Sequence, residues 1–174
     1  VDHGTYRSGS RYGIQVELAQ EPWGSETTQS TQYLFYRRYL PINEAKRHNL
    51  NFQLQMGYTS SSLFGASTYQ ITGGTAIRGY QRDSIEGNSY YVGNVEYLRP
   101  VGKREHLRSA IFLDAGDAFD KFGEFTFRDP KVGIGVGLRW KIRAFVRTDL
   151  RLDIAQGLGD DGETKIYAGT RATF

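Results

Sequence analysis

Leu50, Phe52, Leu54, Met56 and Tyr58 alternate without a break with Asn51, Gln53, Gln55 and Gly57. A period of two puts the two sets on opposite faces of an extended strand, one apolar and one polar. The same pattern recurs along the chain. Tyr12, Ile14, Val16 and Leu18 alternate with Gly13, Gln15, Glu17 and Ala19, after a polar stretch over residues 1–9 that reads as irregular. A second strand is expected from about Gln32 to Leu40, its facing open because Tyr33 and Phe35 compete with Leu34 and Tyr36. Tyr91, Val95 and Tyr97 alternate with Asn94 and Glu96 as far as Pro100, and Ser109, Ile111, Leu113 and Ala115 alternate with Arg108, Ala110, Phe112, Asp114 and Gly116. Val132, Ile134, Val136, Leu138 and Trp140 oppose Gly133, Gly135, Gly137 and Arg139. Val146, Leu150, Leu152 and Ile154 oppose Arg147, Asp149, Arg151 and Asp153, and Ile166, Ala168, Ala172 and Phe174 oppose Lys165, Tyr167, Gly169 and Arg171. The fold class is therefore all-β, with about eight antiparallel strands.

The connections alternate long and short, with the turn 157–162 as the last of the long ones. That asymmetry suits a transmembrane β-barrel, with long loops outside, short turns in the periplasm, apolar residues toward lipid and polar residues toward the lumen. The row Arg147, Asp149, Arg151 and Asp153 fits a lumen of alternating sign, and the solvated outer face of a soluble barrel reads the same. Mean hydropathy is -0.53 and no run of apolar residues is long enough for a membrane helix. Membrane strands stay invisible to such a test because every second residue is polar. Tyr39, Tyr58, Tyr91, Tyr97 and Trp140 lie near strand ends and read as an aromatic girdle at the lipid interface.

Between the third and fourth strands lies the segment 60–88, long for a structureless loop and so expected to be functional. Its centre is Ile71-Thr72-Gly73-Gly74-Thr75-Ala76-Ile77-Arg78-Gly79-Tyr80. The glycines make it unsuited to a strand or helix interior, while Ile77, Arg78 and Tyr80 can pack once a polar cavity holds them. Arg78 is expected to dock near Asp114.

The chain resembles the C-terminal half of the bacterial surface-antigen barrels, the superfamily of outer-membrane protein assembly factors and two-partner secretion transporters. Gly73 and Gly74 followed by Arg78, Gly79 and Tyr80 look like the lumen-inserted loop motif of that family. Phe112, Asp114 and Gly116 look like the strand motif that receives the loop, and Glu96 stands where a second acidic partner is expected. The terminal stretch with Tyr167, Gly169, Ala172 and Phe174 looks like the C-terminal signal for barrel insertion, with Ala172 small for its position. The resemblance implies an outer-membrane domain over residues 1–174, without the periplasmic repeats that precede the family barrel, and a role in inserting or translocating polypeptide. Its partners would be the lipid bilayer, a translocated or inserted polypeptide, and a second copy or second barrel half. The family barrel has about sixteen strands, enough to leave internal space, whereas a closed barrel of about eight is filled by its own side chains. The loop therefore stays outside, or the barrel is larger than this chain. A passive pore or structural barrel is the alternative.

In physical terms a guanidinium in a partly dry lumen needs carboxylates, and its fork can serve both Glu96 and Asp114. Gly133, Gly135 and Gly137 form a track free of side chains, where another backbone can approach and where the docked loop is expected to lie. Other chemistry finds no support. In Gly74–Tyr80 the lysine of a phosphate-binding loop is replaced by Tyr80, and no helix follows. His3, His48 and His106 are scattered, Asp114, Asp117 and Asp120 do not match a calcium loop, and no serine or cysteine lies in a nucleophile motif. The expectation is a protein without metal, cofactor or enzymatic activity. The 22 basic and 19 acidic residues are mixed along the chain, which argues against a nucleic-acid partner.

Overall fold

The computed structural model describes residues 2–3, 6–19, 22, 24, 28–43, 45–60, 69–102, 104–142 and 148–170. Eight antiparallel strands neighbour one another in chain order: β1 (Gly9–Ala19), β2 (Gln29–Asn43), β3 (His48–Thr59), β4 (Ser89–Val101), β5 (Arg104–Phe119), β6 (Lys131–Ile142), β7 (Thr148–Leu158) and β8 (Thr164–Gly169). The sheet is open. Its edges are β1 and β8, so the side chains of a closed eight-stranded barrel do not crowd its inner face.

The register carries the sequence alternation across the whole sheet. Leu40, Leu50, Tyr97, Ile111, Val136, Ile154 and Ile166 are successive partners in one row, and all of them point to the outer face. Three residues along each strand, a row of partners with the opposite facing is Gln53, Asn94, Asp114, Gly133 and Gly157, on the inner face. Ile111, Val136 and Ile166 are more than half exposed. An apolar outer wall around a polar inside is the arrangement of a membrane barrel. Val136→Arg is expected to destabilise the inserted sheet by about 2–4 kcal/mol if Val136 sits near the bilayer midplane. Gln15→Arg, on the exposed inner side of β1, is expected to change stability by less than about 0.5 kcal/mol. Urea unfolding in lipid vesicles compares the two.

In β2 the register decides the facing: Leu34, Tyr36, Leu40 and Ile42 point outward, and Tyr33, Phe35, Arg37 and Tyr39 point inward. Tyr39 therefore leaves the expected girdle; it pairs with Asn51 on the inner face, and the Arg7 guanidinium lies 5.6 Å from its ring centroid. Tyr58 and Tyr91 mark one end of the outer face, Tyr97 and Trp140 the other. The described residues ahead of β1 are more ordered than polarity suggests: Asp2–His3 pairs with Tyr6–Arg7, and Gly9 already belongs to β1. Pro41 and Pro100 lie within β2 and β4, each next to a register shift that absorbs the missing donor. Gly157 and Leu158 extend β7, so the last connection, 159–163, is short.

The described part of segment 60–88 is not structureless. Tyr69–Gln70 pairs with Glu86–Gly87, and Thr72 bridges Ile77. Ile71, Ile77, Tyr80 and Ile85 form an apolar cluster with Tyr90 and Val92, two inner-face residues of β4. The segment thus carries a small core of its own and lays it on the inner face of the sheet.

Candidate functional site

Below this apolar cluster sits a charged one. The Arg78 side chain is fully buried, and its fork is occupied on both sides. Nε and Nη2 donate to the two carboxylate oxygens of Asp114 at 2.6 and 2.7 Å, and Nη1 donates to Asp153 Oδ2 at 2.9 Å. The Arg78 amide adds a bond to Asp114 Oδ2 at 3.2 Å. A planar fork held by one carboxylate has little freedom left, which lysine would not reproduce. Its flat side lies on the buried Phe112, with Cζ 3.3 Å from the ring centroid, a cation–π contact.

Glu96 is 3.8 Å from Arg78 Nη1, and its main partner is Arg139, whose Nε and Nη2 donate to it at 3.1 and 2.7 Å. Arg139 also bonds both oxygens of Asp153, and Arg151 Nε lies 3.4 Å from Asp153 Oδ2. Arg78, Arg139 and Arg151 thus face Glu96, Asp114 and Asp153, three charges against three, all buried. Burial without an excess charge is the condition under which such a group tolerates low dielectric. Asn94 completes the network: its amide donates to Asp114 Oδ1 and to the Ala76 carbonyl, each at 2.8 Å, and Gln53 donates to Asn94 Oδ1 at 3.2 Å.

The next two loop residues contact the far side of the sheet. Gly79 has φ of +92°, and a Cβ there would fall on the backbone of Gln156 and Gly157. Its amide donates to the Tyr167 hydroxyl at 2.9 Å, and its carbonyl accepts the Glu163 amide at 2.8 Å. Tyr80 bridges Gly162 in antiparallel fashion. Its hydroxyl lies 2.9 Å from the Val132 carbonyl and 2.7 Å from that of Leu158, donates to one of them at a time, and accepts the Val132 amide at 3.0 Å. Tyr80→Phe removes a donor from two partly buried bonds and is expected to cost about 1 kcal/mol, read by urea unfolding in detergent. On the rim above, Lys131 donates to Asp161 at 2.8 Å, and that bond holds the exposed Asp161 carboxyl below the usual carboxylate range.

The glycines divide their tasks. Of the track on β6, Gly133 alone meets the loop backbone, at the Arg78 carbonyl. Gly135 makes room for the Phe112 ring and Gly137 for the Asp153 carboxylate, so two thirds of the track serves the strand side chains rather than the loop. Gly74 lies against Arg151, Gly73 forms the turn with Ile77, and Gly116 leaves space for the backbone of Tyr91 and Val92 and for Ile77. Gly169 pairs with Arg151 at the end of β8, while Ala172 and Phe174 lie outside the described residues.

Residues 7–169 match the Omp85 superfamily domain. The chain belongs to the Omp85 superfamily. Its structure is similar to the crystal structure of BamA from Haemophilus ducreyi lacking POTRA domains 1–3, with a TM-score of 0.74 and 16% sequence identity over 94% of this chain. The match covers 39% of that BamA chain, so the present chain spans about two fifths of its length. No match was found among curated protein sequences.

Asp153, Arg139, Arg151 and Asn94 are partners that motif reading did not single out. A signal was present for Asp153 and Arg151, which stand in the alternating charged row of β7. For Asn94 and Arg139 only inner facing was readable.

Proposed function

We propose that the chain forms the C-terminal part of an outer-membrane barrel that inserts or translocates polypeptides, with the Arg78 loop as a brace against its inner wall. The observation that carries the reading is the docking of one loop on five strands: Asn94 and Glu96 of β4, Asp114 of β5, Val132 of β6, Asp153 and Leu158 of β7, and Tyr167 of β8. Such a brace holds the wall in one shape without covalent chemistry, so the activity is mechanical rather than enzymatic. The remaining strands come from a second barrel half or a second copy pairing at the edges of β1 and β8, and the substrate is an unfolded polypeptide that adds a strand at an edge. The experiment is reconstitution of the chain in lipid vesicles with an unfolded outer-membrane protein as client. Faster client insertion than into empty vesicles, reduced by Arg78→Ala, is the expected result. Ion conductance with no gain in insertion would replace this reading by a passive pore.

A further inference from the structure

Two of the described excursions at the outer end of the sheet go to opposite sides. Residues 69–88 turn inward, but segment 120–130 folds back over the outer wall. The side is set by register. Tyr91 is paired with Met56 on one flank and Asp117 on the other, in the same outer face as Leu113 and Ala115. Phe127 and Phe125 lie on it, with ring centroids 4.8 and 5.6 Å from Tyr91; Phe125 is also 5.4 Å from Phe119 and 5.2 Å from Phe127. Tyr91 is only 7% exposed as a result, while Phe127 itself is 67% exposed. Asp117 shows the level of this cluster: along β5 the outer face is apolar at Leu113 and Ala115 and turns acidic at Asp117.

We propose that segment 120–130 is a membrane-surface foot, whose Phe125 and Phe127 seat in the boundary between headgroups and acyl chains of the outer leaflet. The argument is continuity: the cluster prolongs the lipid-facing wall at the height where that wall ceases to be apolar, and an exposed aromatic ring there has an apolar neighbour on one side and a polar one on the other. The segment's own charges, Asp120, Lys121, Glu124, Arg128 and Asp129, nearly balance, so seating depends on apolar burial and not on lipid charge. The proposal rests on the membrane-barrel reading.

The chain contains no cysteine, so single nitroxide labels can be placed without background. Phe127→Cys, Gly123→Cys and Val136→Cys are compared in vesicles of phosphatidylcholine, with and without anionic phosphatidylglycerol, by paramagnetic relaxation from oxygen and from a water-soluble nickel chelate. The expected result is oxygen-dominated relaxation at positions 127 and 136, chelate-dominated relaxation at 123, and no dependence on lipid charge. Chelate-dominated relaxation at 127 with oxygen at 136 overturns the foot and leaves the barrel reading intact. Chelate-dominated relaxation at 136 as well overturns both. Protection of 127 from both reagents overturns the foot in favour of a protein contact.

Discussion

Arg78→Ala is expected to undock the loop from the sheet. The substitution leaves Glu96, Asp114 and Asp153 facing only Arg139 and Arg151, and Asp114 loses both of its short guanidinium bonds. Breaking a buried pair from one side costs about 3–5 kcal/mol, because the remaining charge stays in low dielectric. The loss is local, since the ladders between neighbouring strands do not pass through Arg78. Hydrogen exchange is the measurement: the Ile77 amide, which bonds Ile71, is expected to exchange at least about 100-fold faster in the variant. Arg78→Lys restores the charge without the fork and falls between. In the double variant Arg78→Ala with Asp114→Asn the costs do not add, because the second change neutralises the carboxylate that the first exposed. Strict additivity there would mean that Arg78 and Asp114 act independently, against the geometry.

Gly79→Ala leaves every charge in place and is expected to loosen the same loop from its other end. The residue has φ of +92°, which costs an L-residue about 1–2 kcal/mol. The added methyl would also lie 2.6 Å from the Gln156 carbonyl carbon, and this is backbone, which cannot rotate away. Overpacking of this kind adds about 1–3 kcal/mol. Because the Glu163 amide bonds the Gly79 carbonyl, its exchange is expected to accelerate more than that of Ile77. Equal acceleration at both sites would mean that the loop docks as one unit.

Much of the sheet was legible because period two is a strong signal wherever one face is apolar: the rows through Leu50, Ile111, Val136 and Ile154 follow directly from it. It failed where aromatics stand on both faces. Tyr33, Phe35 and Tyr39 are inner residues that stack on one another or carry arginines, a role that hydrophobicity does not reveal. Strand ends were misjudged at Pro41 and Pro100, where irregular register lets the ladder continue past a residue without an N–H. At the site, Arg78 and Asp114 were readable as an opposite-charge pair in a loop and on an inner face. Asp153 was not, because its nearness depends on how β6 and β7 bring it across the sheet, a long-range property that spacing along the chain does not encode. The inner apolar cluster was hidden for the same reason: Val92 and Tyr90 break the alternation of β4 and make sense only once Ile71, Ile77 and Ile85 lie on them.

The segment 69–88 reaches from β2, where Tyr69 donates to the Gln32 carbonyl and Tyr33 packs against the apolar cluster, to Tyr167 on β8, but leaves the inner side of β1 uncovered, where Arg11, Gln15 and Glu17 are exposed. The sheet is therefore cross-tied from β2 to β8, and β1 is an edge strand paired with β2. Under load the parts respond unequally: bending concentrates at β1, whose hinge compliance is set by its ladder to β2, while β2 to β8 move as a plate. A strand that joins at Gly9–Ala19 meets an edge able to adapt its twist to the newcomer, and one that joins at Thr164–Gly169 must itself conform.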